Sequence, residues 1–201
     1  MIQNPLTFLF IGRSGCGKGT QIKLLREYLE KNDSRLILHV YAGKKMRELI
    51  ENKKNLTAKL TKEIMLLGGK QPNFLAIWAW SQELVEKLEK DVHLAVDGSP
   101  RTELEAKILD EALEFYKRDE IFPVLLDVSY EWSAEKLKAR GRFDDTEERI
   151  KNRLKYFEKY VQPVVAYYEK ESKNKLIAIN GEQAIGEVHR EIIQKIFNDN
   201  N

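Results

Sequence analysis

The amino-acid sequence predicts an α/β fold in which a five-stranded parallel sheet is covered by helices on both faces. Three observations carry that expectation. Short apolar runs recur along the chain, each stopping at a turn or a charged residue; segments with helical apolar spacing lie between them; and a glycine-rich stretch joins the first run to the first helix. Brief apolar runs read as strands buried on both faces, and strands alternating with helices imply parallel pairing.

Leu6–Ile11 is the first expected strand. After the glycine-rich stretch, Ile22, Leu24, Leu25, Tyr28 and Leu29 recur three and four apart and mark a helix. Leu36–Tyr41 is the second strand. From Gly43 to Glu89 the pattern offers several helices and no strand, so Gly43–Leu67 reads as a small helical insertion ending at Gly68-Gly69. In the helix that follows, Phe74, Ile77, Trp78 and Trp80 fall on or near one face, which assigns them to core packing rather than to base stacking. His93–Asp97 is the third strand, and a helix carrying Leu104, Ile108, Leu109 and Leu113 follows. Phe122–Asp127 is the fourth strand. A long helix from Thr146 to about Lys170 presents Ile150, Leu154, Phe157, Val161, Val164 and Val165 on one side, with Pro163 expected to kink it. Lys175–Ile179, stopped by Asn180-Gly181, completes the sheet.

Composition narrows the function. The 34 lysines and arginines face 32 acidic residues, and a net charge of +2 argues against a polycation for nucleic acid or membrane. One cysteine, Cys16, excludes a disulfide framework and a zinc cluster and accords with a cytoplasmic protein. The three histidines show no metal-ligand spacing, and His39 and His93 read as strand residues. Leu6–Ile11 is too short to span a bilayer, and no basic region precedes it. The basic pairs Lys44-Lys45 and Lys53-Lys54 read as a solvated face of the insertion.

Chemistry is concentrated in Gly12-Arg13-Ser14-Gly15-Cys16-Gly17-Lys18-Gly19-Thr20, set between a strand and a helix as a phosphate-binding P-loop requires. Its glycines let successive backbone N–H groups turn toward one anion, and the helix start adds partial positive charge. Lys18 is positioned to reach the outer phosphates of a nucleoside triphosphate. Gly19 stands where the general pattern has a hydroxyl residue that touches Mg²⁺, which leaves the cation to water and to other carboxylates. Cys16 reads as a small residue filling the turn.

This loop, followed by Asp97-Gly98-Ser99-Pro100-Arg101-Thr102 after the third strand, resembles the adenylate kinase family of nucleoside monophosphate kinases. So do His39-Val40-Tyr41-Ala42-Gly43 with Arg47, the string Gly69-Lys70-Gln71-Pro72, and Arg140-Gly141-Arg142-Phe143-Asp144-Asp145 followed by Arg153, all in the family's order. The resemblance implies a P-loop NTPase fold and one domain, residues 1–201, with a core of 1–41, 73–139 and 146–201. It also implies a monophosphate-binding insertion at 42–72 and a very short lid at 140–145. It implies Mg²⁺-dependent phosphoryl transfer from ATP to AMP by a monomer. Gly15, Cys16, Gly17, Lys18, Gly19, Thr20, Arg140 and Gln183 would hold ATP. Ala42, Arg47, Lys70, Gln71, Pro72, Gly98, Ser99, Arg101, Glu105, Arg142 and Arg153 would hold the monophosphate. Lys18, Arg101, Arg142 and Arg153 would be catalytic, and Asp97 would hold the metal through water, with Asp144 a second candidate. Arginine suits such work because its planar fork is permanently charged and bidentate toward phosphate.

Several positions depart from the family's pattern. Arg140 and Arg142 are two residues apart, where relatives have a longer loop, and Lys136 replaces an arginine placed against the ATP base. On the acceptor side, Ser99 stands for phenylalanine, Ala42 for threonine, and Glu105 for a glutamine that pairs with adenine. Ionised Glu105 is acceptor-only, which suits guanine's two donors better. Thr102-Glu103-Leu104-Glu105 also reads as a capping box, an account of Glu105 that needs no ligand. Acceptors other than AMP, namely GMP or a pyrimidine monophosphate, and a nucleotide-binding regulator without transfer activity are the alternatives left open.

Overall fold

The computed structural model describes residues 2–141 and 146–198. Its strands are β1 (Thr7–Gly12), β2 (Ile37–Tyr41), β3 (His93–Asp97), β4 (Ile121–Asp127) and β5 (Ile177–Asn180). All pair in parallel in the order β2-β3-β1-β4-β5. The five expected strands are present, His93–Asp97 with the expected bounds and the other four with one or both ends displaced by one or two residues. The chain leaves β1 toward β2 on one side and later reaches β4 on the other. The ends of β1 and β3 therefore flank the switch point at which open α/β sheets bind ligands.

Alternation along the strands builds two cores. Leu9 and Ile11 of β1, with Val40, Leu94 and Val96, face α4 (Asn73–Lys87), α5 (Glu103–Phe115) and α8 (Gln162–Lys170). Phe8 and Phe10, with Ala95, Val124 and Leu126, face α1 (Lys18–Asn32) and α9 (Ile185–Ile193). Because both faces of the sheet are covered, the strands read as nearly unbroken apolar runs.

The insertion is helical, as expected, consisting of α2 (Ala42–Asn52) and α3 (Leu56–Leu66). Asn55 caps α3 by accepting from the Ala58 N–H at 2.9 Å. Its far end is tied to α7 (Glu147–Tyr156), where Asn152 Nδ2 donates to the Leu67 carbonyl at 3.0 Å.

Three expectations need correction. Of the residues assigned to the core face of α4, Trp80 is buried and Ile77 packs against the core, but Phe74 is 70% exposed and Trp78 37%; the buried face is Leu75, Ala76, Ala79, Trp80 and Leu84. The irregularity in the long helix is a π-helical turn over Phe157–Val161, just ahead of Pro163, with the Gln162 N–H bonded back to the Phe157 carbonyl. Pro163 follows closely on this turn inside an unbroken helical run, so the wider turn lies where a residue without an N–H interrupts the regular bonding. Finally, only half of a capping box forms at α5: Thr102 Oγ1 accepts from the Glu105 N–H at 3.2 Å, but Glu105 Oε2 accepts from the N–H of Arg101, one residue earlier, also at 3.2 Å. α6 (Tyr130–Arg140), capped by Ser129 and closed by left-handed Gly141, completes the element set.

Candidate active site

At the end of β1 the chain must turn sharply beneath β4. A Cβ on Gly12 would lie 2.7 Å from the Leu126 carbonyl oxygen and 2.8 Å from Cys16 Sγ, and Gly12 has φ 144°, so only glycine fits there. Cys16 is buried among Phe8, Phe10 and Ile22 and packs as the expected filler of the turn. The loop then enters α1 with left-handed Gly17 at the cap, no side-chain cap and no acidic residue in the first turn. The N–H groups at that end are thus not claimed by a carboxylate, which suits an incoming anion. Lys18 Nζ spans the loop, donating to the Gly12 carbonyl at 3.0 Å and the Arg13 carbonyl at 2.9 Å.

A cleft of about 430 Å³ opens over this loop. Gly15, Gly17, Lys18, Gly19 and Thr20 form its floor, and Asp97, Gly98, Arg101, Lys136 and Arg140 line its sides. Asp97 ends β3 and is nearly buried, with Oδ2 3.8 Å from where a Cβ on Gly19 would stand and 3.7 Å from His39 Nε2. The absence of a side chain at Gly19 therefore leaves space between the phosphate loop and this carboxylate. Among the described residues no three His, Cys, Asp or Glu side chains cluster to hold a metal. One strand-end carboxylate next to a phosphate loop fits a hard cation that keeps most of its water, as Mg²⁺ does, and not one held in an all-protein cage.

A second cleft, of about 120 Å³, lies between the insertion and α7. Arg47, Gln71, Arg101, Arg140 and Arg153 all line it. Arg101 belongs to both clefts. Its aim is fixed by Nε donating to the Gly98 carbonyl at 2.5 Å and Nη1 donating to the Tyr156 hydroxyl at 3.1 Å. The Tyr156 phenol, acting against the cost of burial and aided by Glu105, Tyr41 and Asp97, holds the guanidinium above its ordinary range. Arg101 is thus a permanent cation at the junction.

Below this junction, a smaller pocket of about 40 Å³ collects Ala42, Lys70, Gln71, Ser99, Arg101 and Glu105. Glu105 is 1% exposed, and its Oε1 has no hydrogen-bond partner among the described residues. Burial, acting against the nearby Arg101 charge, pushes its carboxyl above the usual range. Lys70 Nζ donates to the Gln71 carbonyl at 2.9 Å and to Asn73 Oδ1 at 2.7 Å, while Gln71 Nε2 donates to the Thr61 carbonyl at 3.0 Å.

Two other expected site residues, Pro72 and Gln183, lie apart from these walls. Pro72 is the N-cap of α4. The Gln183 side chain, between β5 and α9, donates to the Asn180 carbonyl at 2.9 Å and to Glu191 Oε2 at 2.8 Å. Lys136 stands over the Trp132 ring, 4.4 Å from its centroid. Arg142 and Asp144 lie outside the described residues.

Sequence reasoning passed over His39, Tyr41 and Tyr156. Tyr41 lines the phosphate-loop cleft and the insertion-side cleft alike, with the Arg47 guanidinium 5.2 Å from its ring centroid and the His39 ring stacked at 6.1 Å. Gly43 makes room for that ring, since a Cβ there would come within 2.7 Å of it. Tyr156 was legible from its spacing, three residues beyond Arg153 on one helix face.

The sheet order and the loop at its switch point define the class: a P-loop α/β fold built around a phosphate site. Comparison with known proteins refines this. The family model described as adenylate kinase matches residues 10–173. Adenylate kinase 1 of Nostoc sp. (strain PCC 7120) is 31% identical over 184 residues, covering 92% of this chain and 95% of the relative. Adenylate kinase of Prochlorococcus marinus is 32% identical over 188 residues, covering 94% and 97% respectively. That of Petrotoga mobilis is 28% identical over 226 aligned positions that take in 96% of this chain and 99% of the relative. Those positions outnumber the 201 residues here, so the Petrotoga relative carries segments this chain lacks. The chain belongs to the adenylate kinase family and is a phosphotransferase. No helix among the described residues is long and apolar enough to cross a membrane.

Proposed function

We propose that this chain catalyses reversible, Mg²⁺-dependent transfer of a phosphoryl group from ATP to AMP, yielding two ADP. The observation that carries the reading is Arg101, whose guanidinium lines both the phosphate-loop cleft and the arginine-lined cleft beside the insertion. Two phosphates, one entering from each side, would meet across a fixed cation.

Phosphoryl transfer asks the protein for alignment and charge neutralisation more than for covalent chemistry. In this reading the N–H groups of residues 15–20 and Lys18 hold the donor phosphates, with Arg140 beside them and the backbone near Gln183 against the donor base. Arg47 and Arg101 grip the acceptor phosphate, while Ala42, Lys70, Gln71, Pro72, Gly98, Ser99 and Glu105 surround the acceptor nucleoside. Lys18, Arg101, Arg142 and Arg153 stabilise charge that builds on the transferred group, and one arginine in such a role is worth roughly 10³ to 10⁵ in rate. Asp97, and Asp144 as a second candidate, would hold Mg²⁺ through its water. The bound cation neutralises charge on the donor phosphates. The insertion at 42–72 and the short lid at 140–145 would close over the core formed by the rest of the chain. The chain would work as a monomer in the cytoplasm.

Glu105 favours a second reading, in which the acceptor is GMP. An ionised carboxylate accepts two hydrogen bonds, as guanine's edge requires, whereas adenine needs one donor from the protein. A coupled assay with ATP, Mg²⁺ and each of AMP, GMP, CMP and UMP separates the readings. AMP is expected to give the highest kcat/KM; a higher value for GMP would transfer the assignment, and no turnover with any acceptor would defeat the proposal.

A further inference from the structure

A third cleft, of about 400 Å³, lies at the β2 edge of the sheet and shares Tyr41 with the insertion-side cleft. None of the residues assigned above to the two substrates lines it. We propose that it is a second anion site, which takes a small ligand carrying a phosphate group.

The charges are unevenly compensated. Glu83 is spent on two lysines, accepting from Lys45 Nζ at 3.0 Å and from Lys87 Nζ at 2.6 Å. Glu48 lies 3.6 Å from Lys44 Nζ in an exposed pair, which contributes little. Arg26, projecting from α1 into the same cleft, has no carboxylate at all, and its Nε is buried without a hydrogen-bond partner among the described residues. Counting Arg26, Lys44, Lys45 and Lys87 against Glu48 and Glu83 leaves an excess of two positive charges. An oxyanion in the cleft would meet the Arg26 guanidinium, which has no carboxylate beside it among the described residues, and hydrogen bonds to such a permanent cation are the strong, charge-assisted kind. Leu38 and the side of Tyr41 supply an apolar wall. In the sequence Lys44-Lys45 looks like an ordinary solvated pair, until α1 and α4 bring Arg26 and Lys87 beside it.

The site shares His39 and Tyr41 with the phosphate-loop cleft, yet its cations are separate from Lys18, Arg101 and Arg153. That separation makes a clean test. Inorganic phosphate and, separately, AMP are titrated calorimetrically into the wild-type chain and into Lys18→Ala, Arg26→Met and Lys44→Glu, with melting curves to verify folding. A phosphate-binding component is expected to persist in Lys18→Ala and to weaken about tenfold or more in Arg26→Met and Lys44→Glu, the loss expected for a charge-assisted hydrogen bond. Turnover of Arg26→Met, measured without added phosphate, stays within about twofold of wild type. If AMP occupies the same component more tightly than phosphate does, the natural ligand carries a nucleoside; equal affinities assign the site to free phosphate. Unaltered phosphate affinity in a folded Arg26→Met overturns the proposal. Should Arg26→Met not fold, an unaltered affinity in Lys44→Glu overturns it equally. So does loss of the whole component in Lys18→Ala.

Discussion

Replacing Glu105 by glutamine tests both the acceptor pocket and the protonation of a buried carboxyl. Oε2 accepts from the Arg101 N–H and the backbone N–H of Glu105 bonds to Thr102 Oγ1, and glutamine preserves both contacts. What changes is Oε1, which is buried and without a partner among the described residues, on a side chain that lines the small pocket. Glutamine places a donor there in place of an ionised acceptor, and one mispaired buried contact is worth about 1–3 kcal/mol. The AMP-to-GMP ratio of kcat/KM should therefore rise roughly tenfold, the equivalent of about 1.4 kcal/mol. Because burial raises the Glu105 carboxyl above its ordinary range, lowering the pH protonates it within reach of measurement. A protonated carboxyl offers one donor and one acceptor, the pattern of the amide. The variant's advantage should be largest where the wild-type carboxyl is ionised and shrink as the pH falls and the wild type gains its proton. Stability follows the same sign: with a raised folded-state pKa, the protonated group is the one the fold favours. Stability is thus full below the unfolded value and declines as pH rises through the folded one. Glu105→Gln removes that decline, so its melting temperature should exceed the wild type's at neutral pH and converge with it in acid. Steady-state kinetics with both acceptors across this range, alongside melting curves, measures both effects. A ratio that does not move at any pH would refute the pairing argument and leave Glu105 as a brace for the Arg101 turn.

Four further outcomes are expected. Lys18→Ala should abolish transfer while leaving the circular dichroism spectrum intact, since among the described residues Nζ bonds to two loop carbonyls and the Cys16 sulfur; near wild-type turnover would contradict the phosphate-loop reading. Arg101→Ala should lower kcat by roughly a thousandfold, and a rise in acceptor KM alone would reduce it to a binding residue. With only Gly141 between Arg140 and Arg142, shielding from water should be incomplete, giving metal-dependent ADP formation from ATP alone; background at the detection limit would assign the covering role to another segment. Asp110→Ala should lower the melting temperature by about 6–12 °C, or about 3 kcal/mol, because the carboxylate accepts from Tyr167, Tyr168, Ser172 and Asn174, and the Tyr168 ring is fully buried. In that variant Tyr167, which burial and then Asp110 push up to about 12, should titrate nearer its ordinary value in an absorbance titration.

The strands were legible because a parallel sheet covered on both faces leaves continuous apolar runs, and the phosphate loop because close backbone packing at Gly12 admits no side chain. The face of α4 was not. Its sequence is apolar nearly all round, and the positions that pack closest include Ala76 and Ala79, which a search for large side chains overlooks in favour of Phe74 and Trp78. Polar groups that act through distant partners were equally hidden. Asp110 meets residues 57 to 64 positions away, and Tyr41 gains significance only when α2 brings Arg47 over its ring. The double role of Thr102 and Glu105 was half visible, since spacing announces a cap but not that Glu105 reaches back to Arg101.

The π-helical turn at Phe157–Val161 has a bearing on where Arg153 points. On its near side, Ile150 and Leu154 lie against Leu137 of α6; on its far side, Val164 and Tyr168 lie in the core above the sheet. Apolar residues keep a spacing of three and four throughout, yet the wider turn winds more slowly, so the stripe changes direction by about one residue's rotation, roughly 100°. The two halves can thereby rest on different neighbours while forming one rod. Arg153 owes its aim into the cleft to a count of residues downstream of it: with one fewer between Phe157 and Val161, the same arginine on the same helix would face elsewhere. An insertion or deletion that far along the helix would act as a change of address for a side chain it never touches.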